Sequence, residues 1–151
     1  MPISSHYECV NHPAWNDAVG ALQSYLGDKQ PDTVILLGDS ASRLTPYISF
    51  TNLVLDHTTN LALYLPGYEH FVGYRSSSEL LRDVVPKKGT TILLDDFAVR
   101  STRSKSQILT EMIARQKIMN AWVVVMVGRI AIPGVTVLCL NDELVSLMRG
   151  Y

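Results

Sequence analysis

Two adjacent carboxylates, Asp95 and Asp96, follow a run of β-branched and aliphatic residues, Thr90 to Leu94, that Gly89 opens. Such a run reads as a buried strand, so both acids are expected at its carboxyl end. Behind them lies a stretch rich in hydroxyls and cations: Arg100, Ser101, Thr102, Arg103, Ser104 and Lys105. The apolar positions Ile108, Leu109, Met112 and Ile113 then predict a helix. In open α/β sheets ligands bind outside the carboxyl ends of the strands. Acids, hydroxyls and cations gathered there suit a polar, phosphorylated ligand, and a helix N-terminus favours an anion.

A second candidate stretch is Gly38-Asp39-Ser40-Ala41-Ser42-Arg43, which follows the apolar strand Thr33 to Leu37. It has the length of a P-loop, and Ile92 to Asp96 would pass for the partner acidic strand. A P-loop needs glycine and lysine just before its Ser or Thr. Arg43 and Leu44 stand there instead, which leaves a degenerate P-loop-like nucleotide-binding domain as an alternative.

The elements around these stretches alternate in type. Pro13 to Leu26 predicts an amphipathic helix with Trp15, Ala18, Val19, Leu22 and Leu26 on one face, Asn11 as its cap and Gly27 as its stop. A helix is expected over Leu44 to Phe50, strands over Asn52 to Asp56 and Leu61 to Leu65, and a short helix from Ser77 or Ser78 to Val85. Ala121 to Val127 and Thr136 to Leu140 predict the last strands. Asn141 caps a final helix through Met148, with Asp142 and Glu143 in its first turn. This order predicts one α/β domain over residues 1–151, with a mainly parallel sheet flanked by helices.

The acidic strand and its loop resemble the binding motif for phosphoribosyl pyrophosphate (PRPP) in type I phosphoribosyltransferases. The segment 33 to 50 is similar to the pyrophosphate-loop segment of that family. The run Pro133 to Leu144 looks like its C-terminal strand and helix. The resemblance covers roughly residues 14 to 148 and implies a phosphoribosyltransferase-like fold. It implies that Asp95 and Asp96 hold the ribose hydroxyls, with Arg75 as a further catalytic residue. Arg100, Ser101, Thr102, Arg103 and Ser104 would take the 5-phosphate. Asp39, Ser40, Ala41, Ser42 and Arg43 would take the pyrophosphate. The loop after the acids lacks the family's glycine, so Ser101, Thr102 and Ser104 supply hydroxyl donors instead. Mg²⁺ would arrive with PRPP, and transfer of phosphoribose to a base would be the reaction. His70 and Arg75 fall in the segment matching the family's mobile loop, and Tyr64, Tyr68, Phe71 and Tyr74 could stack a base. A regulatory or assembly protein on the same fold, without the chemistry, is the competing class.

Composition narrows the field further. Hydrophobic residues make up 47% of 151 and charged residues 18%, with a net charge of −1. That balance gives no general electrostatic grip on nucleic acid. No apolar run approaches the roughly 20 residues of a membrane span, and no secretory leader is visible. Cys9 and Cys139 lie far apart, which suits a reducing cytoplasm, with Cys139 expected in the core. The apolar fraction, together with the resemblance, predicts a homodimer through exposed surface at Trp15, Trp122 or the aromatic loop.

Overall fold

The computed structural model describes residues 8–37, 40–48, 53–56, 77–99 and 105–149. Helix α1 spans Pro13–Lys29, strand β1 Thr33–Leu37, and a 3-10 helix Ser40–Tyr47. Strand β2 covers Leu53–Asp56. Helix α2 begins as Ser77–Glu79 and widens into a π turn over Leu80–Val84. Then come β3 (Thr91–Ala98), α3 (Lys105–Arg115), β4 (Ala121–Gly128), β5 (Thr136–Leu140) and α4 (Asp142–Met148). The expected strand at 61–65 lies outside the described residues.

The described strands form one sheet in the order β2-β1-β3-β4-β5. Every pairing in it is parallel. Alternate residues feed two apolar layers, as the two-residue period of a strand requires. Val34 and Leu36 of β1, with Ile92 and Leu94 of β3, pack under α1, α4 and the 3-10 helix. Ile35, Leu37 and Leu93 pack on the opposite face with Leu80 and Leu81 of α2 and Leu109 of α3. The result is an all-parallel sheet covered by helices on both faces, as the alternation of elements predicted.

The amino ends of the central strands are pinned by side chains. Asp32 Oδ2 accepts from the Thr90 amide at 2.7 Å, and Asn120 Nδ2 donates to the carbonyls of Pro86 and Gly89 at 2.8 and 2.9 Å. Gly89 takes φ +82°, and a Cβ there would lie 2.7 Å from Asp32 Oδ2. Glycine is therefore required at this turn for both conformation and space.

Several boundaries differ from the sequence reading, each for a physical reason. β3 runs on through both acids to Ala98, because β4 continues beside it and pairs Asp95 with Val125, Phe97 with Val127 and Ala98 with Gly128. Helix α1 is capped by His12, whose side chain accepts from the Ala14 amide, and it passes Gly27 to end at Gln30 with φ 47°. The segment expected as a helix over 44–50 is a 3-10 helix that starts earlier, at Ser40, with Pro46 inside it. Trp15 is not a surface residue. It is only 1% exposed and lies with Ala18, Leu22 and Leu26 in the α1 layer, edge-on to Tyr47. Cys139 is half-buried rather than a full core residue. Trp122 is 48% exposed, as expected.

Candidate functional site

The winding of the sheet fixes where a ligand crevice falls. From β1 the chain steps outward to β2, then returns to the other side of β1 for β3, β4 and β5. The reversal lies between β1 and β3. In open parallel sheets the crevice at the carboxyl side of such a reversal is the usual ligand site. β1 stops at Leu37, while β3 continues past the level of Leu94, the last residue it pairs with β1. The step leaves Asp96 beyond the end of β1, beside the start of the 3-10 helix, while Asp95 stands level with Leu37.

Asp96 is fully buried there, and Asp95 is 5% exposed. Burying a carboxylate is costly unless it is paired and hydrogen-bonded. Asp96 meets part of that demand. Its Oδ1 accepts from the Ser40 hydroxyl at 3.2 Å, and its Oδ2 lies 2.9 Å from Arg43 Nε. The Nε hydrogen, however, is turned to the Ser40 carbonyl at 3.1 Å. Asp96 Oδ2 thus has a close cation but no hydrogen bond aimed at it. The ion-pair distance and the missing hydrogen bond agree once direction is considered: the attraction is Coulombic, without an aligned donor.

Arg43 is held from several sides. Nη2 donates to the Met148 carbonyl at 2.9 Å, at the end of α4. Nη1 lies 3.8 Å from Cys9 Sγ, and the guanidinium carbon sits 5.9 Å from the centre of the Phe97 ring. Burial pushes the Cys9 thiol above its ordinary value, and the Arg43 charge partly opposes that rise. The 3-10 helix is anchored beneath by buried Ala41 and Leu44, which sets Ser40 and Arg43 toward β3.

Asp95 is placed differently. Its Oδ1 accepts the Asp96 amide at 3.0 Å. Strand alternation sends it to the face of Leu93, away from Asp96. Val125, its register partner, packs with Ala98 and Ile132.

Of the residues singled out in the sequence, the structure brings Ser40, Arg43 and Asp96 into one cluster. Ser42 belongs to the same 3-10 helix, and Ala41 is a buried anchor of it. Asp39, Arg75 and the run Arg100, Ser101, Thr102, Arg103 and Ser104 lie outside the described residues, as do His70 and the aromatic run from Tyr64 to Tyr74. Three partners of the cluster escaped the sequence reading: Cys9, Phe97 and the Met148 carbonyl. Only Phe97 left a signal, because the apolar pair Phe97-Ala98 after the acids marks a strand that has not ended.

Among the described residues no group of three or more His, Cys, Asp or Glu side chains could hold a metal ion. No described helix is long and apolar enough to cross a membrane. Set against family models, curated proteins and solved structures, the chain shows no match.

Proposed function

We propose that this chain is a phosphoribosyltransferase-like protein that binds PRPP, or another phosphorylated ribose or nucleotide, at the carboxyl ends of β1 and β3. One observation carries the reading: a buried carboxylate, Asp96, with a hydroxyl and a cation beside it, stands where the winding of a parallel sheet reverses. In this reading Asp96 serves the ribose hydroxyls, Asp95 orders the strand behind it through the Asp96 amide, the segment from Asp39 to Arg43 serves the pyrophosphate, and Arg100 to Ser104 with Arg75 complete the anion site. Negative charge near ribose C1 would favour the cationic character that develops as pyrophosphate leaves. Mg²⁺ would be held mainly by the phosphate oxygens of the ligand, as it binds phosphates with few protein ligands. When bound, it would neutralise part of the pyrophosphate charge. A homodimer through the exposed face at Trp122 belongs to the same reading.

Calorimetric titration with PRPP and Mg²⁺ tests it, with the mass in solution followed by light scattering. Saturable binding is expected. Absence of any heat of binding would overturn the phosphoribose reading.

A second reading rests on a specific observation. Asp96 is fully buried and Arg43 is engaged by protein groups, so the cluster also works as a structural tie. A regulatory or assembly protein on this fold would need nothing more from it. Pyrophosphate release from PRPP in the presence of nucleobases separates the two readings: a catalyst releases it, a binding protein does not.

A further inference from the structure

The contact between Arg43 and Asp96 is close but poorly aligned. Nε lies 2.9 Å from Oδ2, yet no hydrogen bond reaches that oxygen. The other oxygen has the Ser40 hydroxyl at 3.2 Å, which is long for O–H···O. By contrast, the exposed pair Arg82–Asp83 is a two-pronged fork at 2.7 and 3.0 Å. Directed, two-pronged pairs are the strong ones. Asp96 is thus buried by its surroundings but weakly gripped. Arg43 is firmly gripped through carbonyls, Ser40 and Met148, and keeps 15% side-chain exposure against 1% for Asp96. Solvent, and any anion in it, reaches the cation first.

We propose that the Arg43–Asp96 pair is a latch on the ligand site: a polyanion of the diphosphate class takes the Arg43 charge, and Asp96 is thereby released to accept hydroxyls from the rest of the ligand. The proposal rests on the phosphoribose reading above. Its physical basis is competition. One guanidinium cannot satisfy two anions equally, and a diphosphate offers more charge and more acceptors than a carboxylate with one unaligned oxygen. The bonds from Arg43 to the Ser40 and Met148 carbonyls need only N–H groups, so they can persist while the ionic partner changes. A ligand carrying both diphosphate and sugar hydroxyls then binds better than either part alone, because the first contact frees the second.

The test titrates inorganic pyrophosphate into the wild-type protein, Asp96→Asn, and Asp96→Asn combined with Arg43→Met. Asp96→Asn removes the internal competitor, so it binds pyrophosphate more tightly, by about tenfold. The double variant loses that gain. Equal or weaker pyrophosphate binding by Asp96→Asn overturns the latch. A second measurement needs no charge-deleting variant. In the wild type, the ¹⁵N resonance of Arg43 Nε, assigned through Arg43→Lys, shifts as pyrophosphate saturates the protein; an unmoved resonance overturns the latch. Failure of the two ideas is distinguishable. Tighter pyrophosphate binding by Asp96→Asn with no PRPP binding by the wild type keeps the latch and rejects phosphoribose. PRPP binding with unchanged pyrophosphate affinities does the reverse.

Discussion

Replacing Arg43 by methionine isolates the energetic role of the buried pair. The substitution keeps much of the side chain's apolar volume and removes its charge and its donors. Asp96, fully buried, is left without its cation, and the Met148 carbonyl loses its donor. Removing one partner of a buried ion pair costs about 3–5 kcal/mol, because the other charge stays buried and uncompensated. Two features place this case at the lower end. Arg43 is 15% exposed, and Asp96 Oδ2 receives no directed hydrogen bond. About 3 kcal/mol, at roughly 2–4 °C per kcal/mol for a chain of this length, lowers the melting midpoint by about 6–12 °C. The assay is thermal and urea denaturation followed by circular dichroism near neutral pH. Arg82→Met is the control, since that pair is exposed on both sides and its loss leaves the midpoint unchanged. Adding Asp96→Asn to Arg43→Met removes the stranded charge, so the double variant recovers most of the loss. Equal midpoints for Arg43→Met and Arg82→Met would refute the reasoning. A double variant no more stable than Arg43→Met would show that charge is not the cause.

Two further outcomes follow from local geometry. Gly89→Ala forces a side chain into φ +82° and against Asp32 Oδ2 at 2.7 Å, so it destabilises by roughly 1–3 kcal/mol; a urea midpoint equal to wild type would contradict the turn described here. Burial raises the thiol of Cys9, with Arg43 opposing, and burial with the Asp17 charge raises that of Cys139. A raised thiol holds its proton more tightly when folded, so this stability is complete below the ordinary value of 9.0 and is lost as pH rises through the higher folded value. Unfolding free energy therefore falls at alkaline pH, and Cys9→Ala makes that fall shallower. In native protein, disulfide-exchange reagents label half-buried Cys139 before buried Cys9; the reverse order would contradict the burial of Cys9.

The sequence spoke most clearly where local chemistry and pattern agree. β5 at Thr136–Leu140 and α4 at Asp142–Met148 fall where they were expected. An apolar run sets the strand, and Asn141 caps the helix by accepting the Leu144 amide at 2.8 Å. In α1 the apolar stripe marked the buried face correctly, Trp15 included, and it was a better guide than overall apolar content. What stayed hidden depends on partners distant in the chain. Arg43 reaches Met148 through a carbonyl, a group every residue carries, across 105 positions. No side-chain pattern marks such a contact.

The acid pair shows why the site was only half legible. Read as the end of a strand, Asp95 and Asp96 look like two carboxylates serving one ligand. Once β3 continues to Ala98, Asp95 falls in register with Val125, which packs with Ala98 and Ile132, on the other face of the strand from Arg43. Asp96 then belongs with Ser40 and Arg43, under the layer of α1 and α4, while Asp95 turns back on its own strand to bind the Asp96 amide. The two acids are therefore separable by experiment. Asp96→Asn disturbs an ion pair and the anion affinity of Arg43. Asp95→Asn keeps an acceptor for the Asp96 amide and leaves that ion pair in place. Single substitutions consequently separate the ion pair at Asp96 from the backbone contact at Asp95, whereas changing both acids at once would merge two different physical effects into one loss.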